Sequence, residues 1–150
     1  AQTDKRRDVR RLALAVASGV ELRHVRLSVR IKIVGGALEQ AGGIVWRYRN
    51  SENYLVAGID AEEKHVRLYR VVDGNRVRFG GEGLKKLELN HWYTLRIEHR
   101  GPRIKVYVDD EMLFDERDRH FPRAGKIGLW TKADSVVHFD DLRVHDLDDD

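Results

Sequence analysis

Long runs of this chain are apolar at every second residue, and that period of two constrains the fold more than any other feature. Residues Val25 to Val34 read Val-Arg-Leu-Ser-Val-Arg-Ile-Lys-Ile-Val. Val25, Leu27, Val29, Ile31 and Ile33 point one way, and Arg26, Ser28, Arg30 and Lys32 point the other. Side chains alternate in direction along an extended strand, whereas a helix would spread these apolar residues around its whole circumference. The pattern therefore predicts a half-buried antiparallel strand. The same reading gives strands over Ile44–Arg49, Tyr54–Ile59, His65–Val72, Trp92–His99, Arg103–Val108, Lys126–Thr131 and Val136–Val144.

Turn signals separate these runs at short spacing. They are Gly35-Gly36, Asn50 to Asn53, Asp60 to Lys64, Asp73-Gly74-Asn75, Gly80 to Gly83, Gly101-Pro102, Asp109-Asp110 and Pro122 to Gly125. Asp73-Gly74 suits a two-residue hairpin, because both residues tolerate the positive φ of a type I′ turn; Asp109-Asp110 is a less ideal second case. Arg6–Ala17 has helical composition, yet Leu12, Leu14 and Val16 alternate with alanines. A strand is favoured there, since one more strand completes a sheet without adding a layer. About a dozen short antiparallel strands without a helical crossover predict a two-sheet sandwich.

At 150 residues the chain makes one domain with a substantial core. With 41% hydrophobic and 35% charged residues it reads as globular with a heavily charged surface. No apolar run reaches the roughly 20 residues of a membrane span, and no signal peptide is visible. Cysteine is absent, which excludes disulfides and thiolate chemistry. The net charge of +3 hides an asymmetry: Lys5, Arg6, Arg7, Arg10 and Arg11 crowd the start, and Asp146, Asp148, Asp149 and Asp150 the end. These read as solvated ends rather than a nucleic-acid arm, because no aromatic residue interleaves with the basic run. The expected partners accordingly include neither nucleic acid nor membrane.

Several segments carry a family resemblance: Gln40-Ala-Gly-Gly-Ile-Val-Trp-Arg-Tyr48, Glu52-Asn-Tyr54, Val66 to Arg76, Trp92-Tyr-Thr-Leu-Arg96, Arg103 to Asp109 and Ala124-Gly-Lys-Ile-Gly-Leu-Trp-Thr-Lys-Ala-Asp-Ser135, followed by Phe139-Asp-Asp-Leu142. Over residues 9 to 145 the chain resembles the concanavalin A-like lectin/glucanase superfamily, and more closely the bacterial 3-keto-disaccharide hydrolase domains, formerly of unknown function. The resemblance implies an all-β, concanavalin A-like antiparallel β-sandwich, or jelly roll. It also implies a secreted or periplasmic protein that binds a saccharide or glycoside. Relatives begin a strand or two before the position of Ala1, so it further implies a chain lacking an N-terminal strand. They also carry arginine or asparagine where this chain reads Leu55-Val-Ala-Gly-Ile-Asp60.

In such a sandwich one sheet face is the usual sugar platform, where aromatic rings stack and polar groups bond hydroxyls. Alternation offers Arg47, Tyr69, Tyr107, Trp130 and Lys132 to one face, as a cleft of cationic character. The competing reading is an ordinary solvated sheet with packed stems and wet tips. Trp46 and Trp92 are read as core or edge packing, and Tyr48 as sharing the packed side of Trp46. Asp60-Ala-Glu62-Glu63 comes nearest to the paired carboxylates of a glycosidase, but falls at a strand end and in a turn. Glu98 beside Arg96 suggests a cross-sheet ion pair. No catalytic residue and no cofactor is assigned. A structural calcium is weighed at Asp109-Asp110, Asp134 and Asp140-Asp141, with a backbone or Lys132 bond preferred for the last pair. The seven histidines show no zinc-type His-x-x-x-His spacing.

The reading that follows is a carbohydrate-binding or accessory sandwich. One alternative is a hydrolase or lyase of 3-keto-glycosides, with Lys132 or a histidine acting beside the keto group. Another is an assembly module that self-associates through open sheet edges.

Overall fold

The computed structural model describes residues 15–35, 40–132 and 135–149. The basic N-terminal run, most of the Arg6–Ala17 segment, Asp134 and Asp150 lie outside the described residues. Eleven strands follow one another: β1 (Ala15–Leu22), β2 (Val25–Gly35), β3 (Ala41–Asn50), β4 (Asn53–Asp60), β5 (His65–Val72), β6 (Asn75–Gly83), β7 (Trp92–Arg100), β8 (Arg103–Val108), β9 (Glu111–Arg117), β10 (Gly125–Thr131) and β11 (Val136–Asp146). A 3-10 turn, Leu147–Asp149, follows β11. All neighbours pair antiparallel, in a six-stranded sheet ordered β1-β10-β3-β4-β5-β6 and a five-stranded sheet ordered β11-β2-β7-β8-β9. This is the antiparallel β-sandwich that the alternation predicts.

The core lies between the sheets. Leu27, Val29 and Ile31 of β2, Leu95 and Ile97 of β7, and Ile104 and Val106 of β8 face Ile44 and Trp46 of β3, Leu55, Ala57 and Ile59 of β4, and Val66 and Leu68 of β5. Each such aliphatic side chain contributes about 1.5–3 kcal/mol on full burial. The hairpins follow the predicted turn chemistry. Asp73 and Gly74 have φ of 51° and 82°, and Asp109 and Asp110 of 50° and 68°, the left-handed values of a type I′ turn.

Two expectations are corrected here. Gly80, Gly81 and Gly83 do not form a turn but belong to β6, which pairs with β5 through a bulge. A Cβ at Gly80 would sit 2.7 Å from Cγ of Glu116, so the glycine serves close packing rather than chain reversal. The second correction concerns Tyr48. Arg47 takes a positive φ of 48°, and the register of β3 slips here against both β10 and β4. The bulge sends Trp46 into the core and Tyr48 to the outside of the sheet, instead of leaving them on one side. It also explains Gly125, where a Cβ would meet the Arg47 carbonyl carbon at 2.3 Å.

Arg47 itself is buried at 1% exposure. Its Nε and Nη2 donate to the carbonyl of Arg23 at 3.0 and 2.6 Å, Nη1 to that of Phe121 at 2.6 Å, and Nη2 also to that of Gly101 at 3.2 Å. These carbonyls belong to the β1–β2, β9–β10 and β7–β8 connections, so one guanidinium joins three loops at one end of the sandwich. Alongside it, Asp118 accepts from Arg70 Nε at 2.5 Å and from the Phe121 N–H at 2.9 Å. Burial and then the neighbouring Arg23 lower the Arg47 pKa to about 10, which leaves it charged at neutral pH.

Candidate functional site

The outward face of the six-stranded sheet is built in rows fixed by strand register. One row runs Trp130, Gly43, Gly58, Arg67, Gly81 across β10, β3, β4, β5 and β6. The next runs Gly128, Val45, Val56, Tyr69, Arg78. On the other flank, Ala41, Asp60, His65 and Gly83 pair in turn. Glycines here are dictated by space. A Cβ at Gly43 would lie 1.8 Å from the Ala57 carbonyl oxygen, and one at Gly58 would lie 2.9 Å from Cζ3 of Trp130. The indole therefore lies across Gly58, on a strip of sheet without side chains.

On this face lies a second apolar cluster of Ala41, Val45, Tyr54, Val56, Tyr69, Val71 and Trp130, with Tyr48 packed against it. Tyr48 and Tyr54 have ring centroids 5.6 Å apart, and the Arg76 guanidinium lies 4.8 Å from the Tyr69 centroid. Burial holds the Tyr54 phenol above its usual pKa. Trp130 is only 4% exposed and Tyr69 9%, so neither ring is an open stacking surface in the bare protein. The accessible chemistry lies beside them. An open groove of about 650 Å³ runs along β5 and β6, with His65, Arg67, Arg78 and Glu82 among its lining residues.

The five residues read from sequence as one cleft are dispersed. Trp130 and Tyr69 share the face just described, and Lys132, partly buried, follows β10 with its N–H donating to the Ala41 carbonyl at 3.2 Å. Arg47 is in the loop knot at the end of the sandwich. Tyr107 belongs to the five-stranded sheet, where the Arg96 guanidinium lies 4.1 Å from its ring centroid. Arg67, Arg78 and Gly58 were not singled out from the sequence, because alternation gives a residue's side of its strand but not its neighbours across the sheet.

The remaining polar candidates have structural partners. Glu98 pairs with Arg96 at 3.3 Å and Arg26 at 3.4 Å. Asp140 accepts from the Asp141 N–H and from Arg30, and Asp141 accepts from Arg143. Asp109 accepts from the Thr94 N–H, and Asp110 pairs with Arg96. Trp92 lies outside the core, with Arg30 and Lys32 at 4.7 and 5.2 Å from its ring.

Comparison with known proteins supports the fold. No family model matches this chain. Levanase from Bacillus subtilis (strain 168) is 29% identical over 100 residues, which is 66% of this chain but 14% of the levanase. The chain thus spans a small part of that relative's length. Among solved structures, the carbohydrate binding module CBM66 from Bacillus subtilis superposes with a TM-score of 0.79 at 23% identity, covering 85% of this chain and 78% of that one. The Xenopus laevis galectin-Ib superposes with a TM-score of 0.68 at 11% identity, covering 89% and 100%, and the Caenorhabditis elegans galectin LEC-6 with 0.64 at 17%, covering 88% and 89%. The chain shares the antiparallel jelly-roll β-sandwich fold of these structures.

Proposed function

We propose that this chain is a carbohydrate-binding module, and that it takes its saccharide on the outward face of the six-stranded sheet. The carrying observation is the groove along β5 and β6, where Arg67 and Arg78 adjoin the glycine strip under Trp130. Guanidinium groups donate in fixed directions and suit the paired hydroxyls of a sugar ring. The glycine strip seats the Trp130 indole flat against the sheet beside this groove. The likeness to a carbohydrate binding module and to galectins supports this reading, as does the match to a segment of levanase. An extracytoplasmic setting goes with it; among the described residues no helix is long and apolar enough to cross a membrane.

The test is a glycan array followed by calorimetry on the saccharide that binds. Arg67→Ala and Trp130→Ala are expected to weaken binding at least about tenfold, the loss of roughly 1.4 kcal/mol. Tyr107→Ala, on the other sheet, should bind like the parent. No saccharide on the array, or an Arg67→Ala protein that binds normally, rejects the site. Hydrolysis of a 3-keto-disaccharide in the same samples would favour the enzymatic alternative.

A further inference from the structure

The β4–β5 hairpin brings together, at the end of the β5–β6 groove, three metal-ligating side chains to which the saccharide reading assigns no role. Asp60 ends β4, His65 opens β5 as its cross-strand partner, and Glu63 lies in the turn between them. One ligand atom from each lies within 4.8 Å of the others. His65 is only 9% exposed, and both of its ring nitrogens are buried with no hydrogen-bond partner. A neutral imidazole has one donor and one acceptor, and leaving such groups buried and unpaired is costly. Its Nε2 lies 3.6 Å from Oε2 of Glu63, outside hydrogen-bond range. That spacing is close to the edge of about 3.4 Å between two ligands of a tetrahedral zinc ion with bonds of about 2.1 Å.

The turn is also built in advance. Asp60 Oδ1 accepts the N–H groups of Glu62 and Glu63 at 2.9 and 3.0 Å, which folds Glu63 back over the hairpin and leaves Oδ2 for another partner. The Ala61 N–H donates to the Gln40 carbonyl and the Leu84 N–H to that of Lys64, tying the turn to its neighbours on both sides.

We propose that Asp60, Glu63 and His65 form a binding site for a single divalent transition-metal ion, with zinc as its representative. An imidazole with two carboxylates suits zinc and its neighbours rather than calcium, which prefers an all-oxygen shell. Three protein ligands leave a fourth position for water or for a ligand oxygen. Lys64, Arg67 and Arg78 line the adjoining groove, and the two carboxylates offset their field at the ion. A cation on Nε2 also relieves one of the two unpartnered ring nitrogens. The site stands whether or not the groove binds a saccharide.

The experiment uses the tag-free full chain, stripped with chelator and titrated with zinc chloride in the absence of any saccharide. One equivalent should bind and raise the melting temperature, and cobalt should give a visible absorption band of low-symmetry coordination. Calcium should produce neither effect. His65→Asn should abolish the one-equivalent binding, and Glu63→Gln should weaken it at least about tenfold. Glu63 has a largely exposed side chain, so its variant keeps the test decisive if His65→Asn does not fold. Absence of stoichiometric binding overturns the proposal. So does unchanged binding in both variants, which would put the ion on other histidines or on the acidic end.

Discussion

At the level of single residues, the chain contains a buried base whose protonation the fold opposes. Trp46 Nε1–H donates to His99 Nδ1 at 2.8 Å in the core, and His99 has no exposed surface. Burial first, then the Arg47 guanidinium, lower its pKa from 6.5 to about 3. Between those two values the unfolded chain binds a proton that the folded chain refuses. This contribution to stability is therefore complete above about pH 6.5 and is lost as the pH falls toward 3, by at most about 1.4 kcal/mol per pH unit. Denaturant midpoints at pH 7 and pH 4 should drop further for the parent than for His99→Gln, which keeps an acceptor for Trp46 but does not titrate. Equal drops in the two proteins would show that His99 is not a source of acid lability. Arg47 teaches a related lesson. In Val-Trp-Arg-Tyr the alternation suggests a solvent-facing arginine, yet its partners are three backbone carbonyls in distant loops. Nothing local in the sequence announces a left-handed residue at position 47; the complementary sign is Gly125, far along the chain.

Among the elements, β2 and β8 were legible because each has one dry and one wetter side, and period two then fixes both strand and orientation. Strand β6 was not, since its glycines resemble turn punctuation. Their physical reason is lateral: a Cβ at Gly81 would come within 3.0 Å of the Arg67 side chain. Strand order is also what sequence left open. Trp130 and Tyr107 have the same alternation logic but sit on different sheets, so a shared cleft could not be settled by parity alone. The row through β10, β3 and β4 makes a sharper demand. Gly58→Val should displace the Trp130 indole and weaken saccharide binding as much as Trp130→Ala does, while the chain keeps its β-type circular dichroism. Undiminished binding by Gly58→Val would mean that the glycine strip is packing without a role in recognition.

The whole molecule presents two unlike outer faces. The six-stranded sheet carries glycines, buried rings and a groove with arginines, whereas the five-stranded sheet carries a lattice of paired charges around Trp92 and Tyr107. β6, at one end of its sheet, exposes Val77 between Arg76 and Arg78, and flanking charges of this kind discourage strand addition from another chain.

The place of β10 has a consequence for biosynthesis. Although it comes next to last among the strands, it is inserted between β1 and β3 rather than added at a rim. Among the described residues β1 has no other strand neighbour, so a chain made only as far as Ala124 lacks its pairing partner, and the Trp130 end of the platform does not yet exist. Completion of the sheet thus waits for a late segment, and once β3 is made, β1 and β3 each keep an edge that β10 has yet to cover and that invites wrong pairing. A chain stopped after Ala124 should accordingly be unfolded or aggregated, with no cooperative melt. A cooperative melt from that truncated chain would show that the sheet closes without its inner strand.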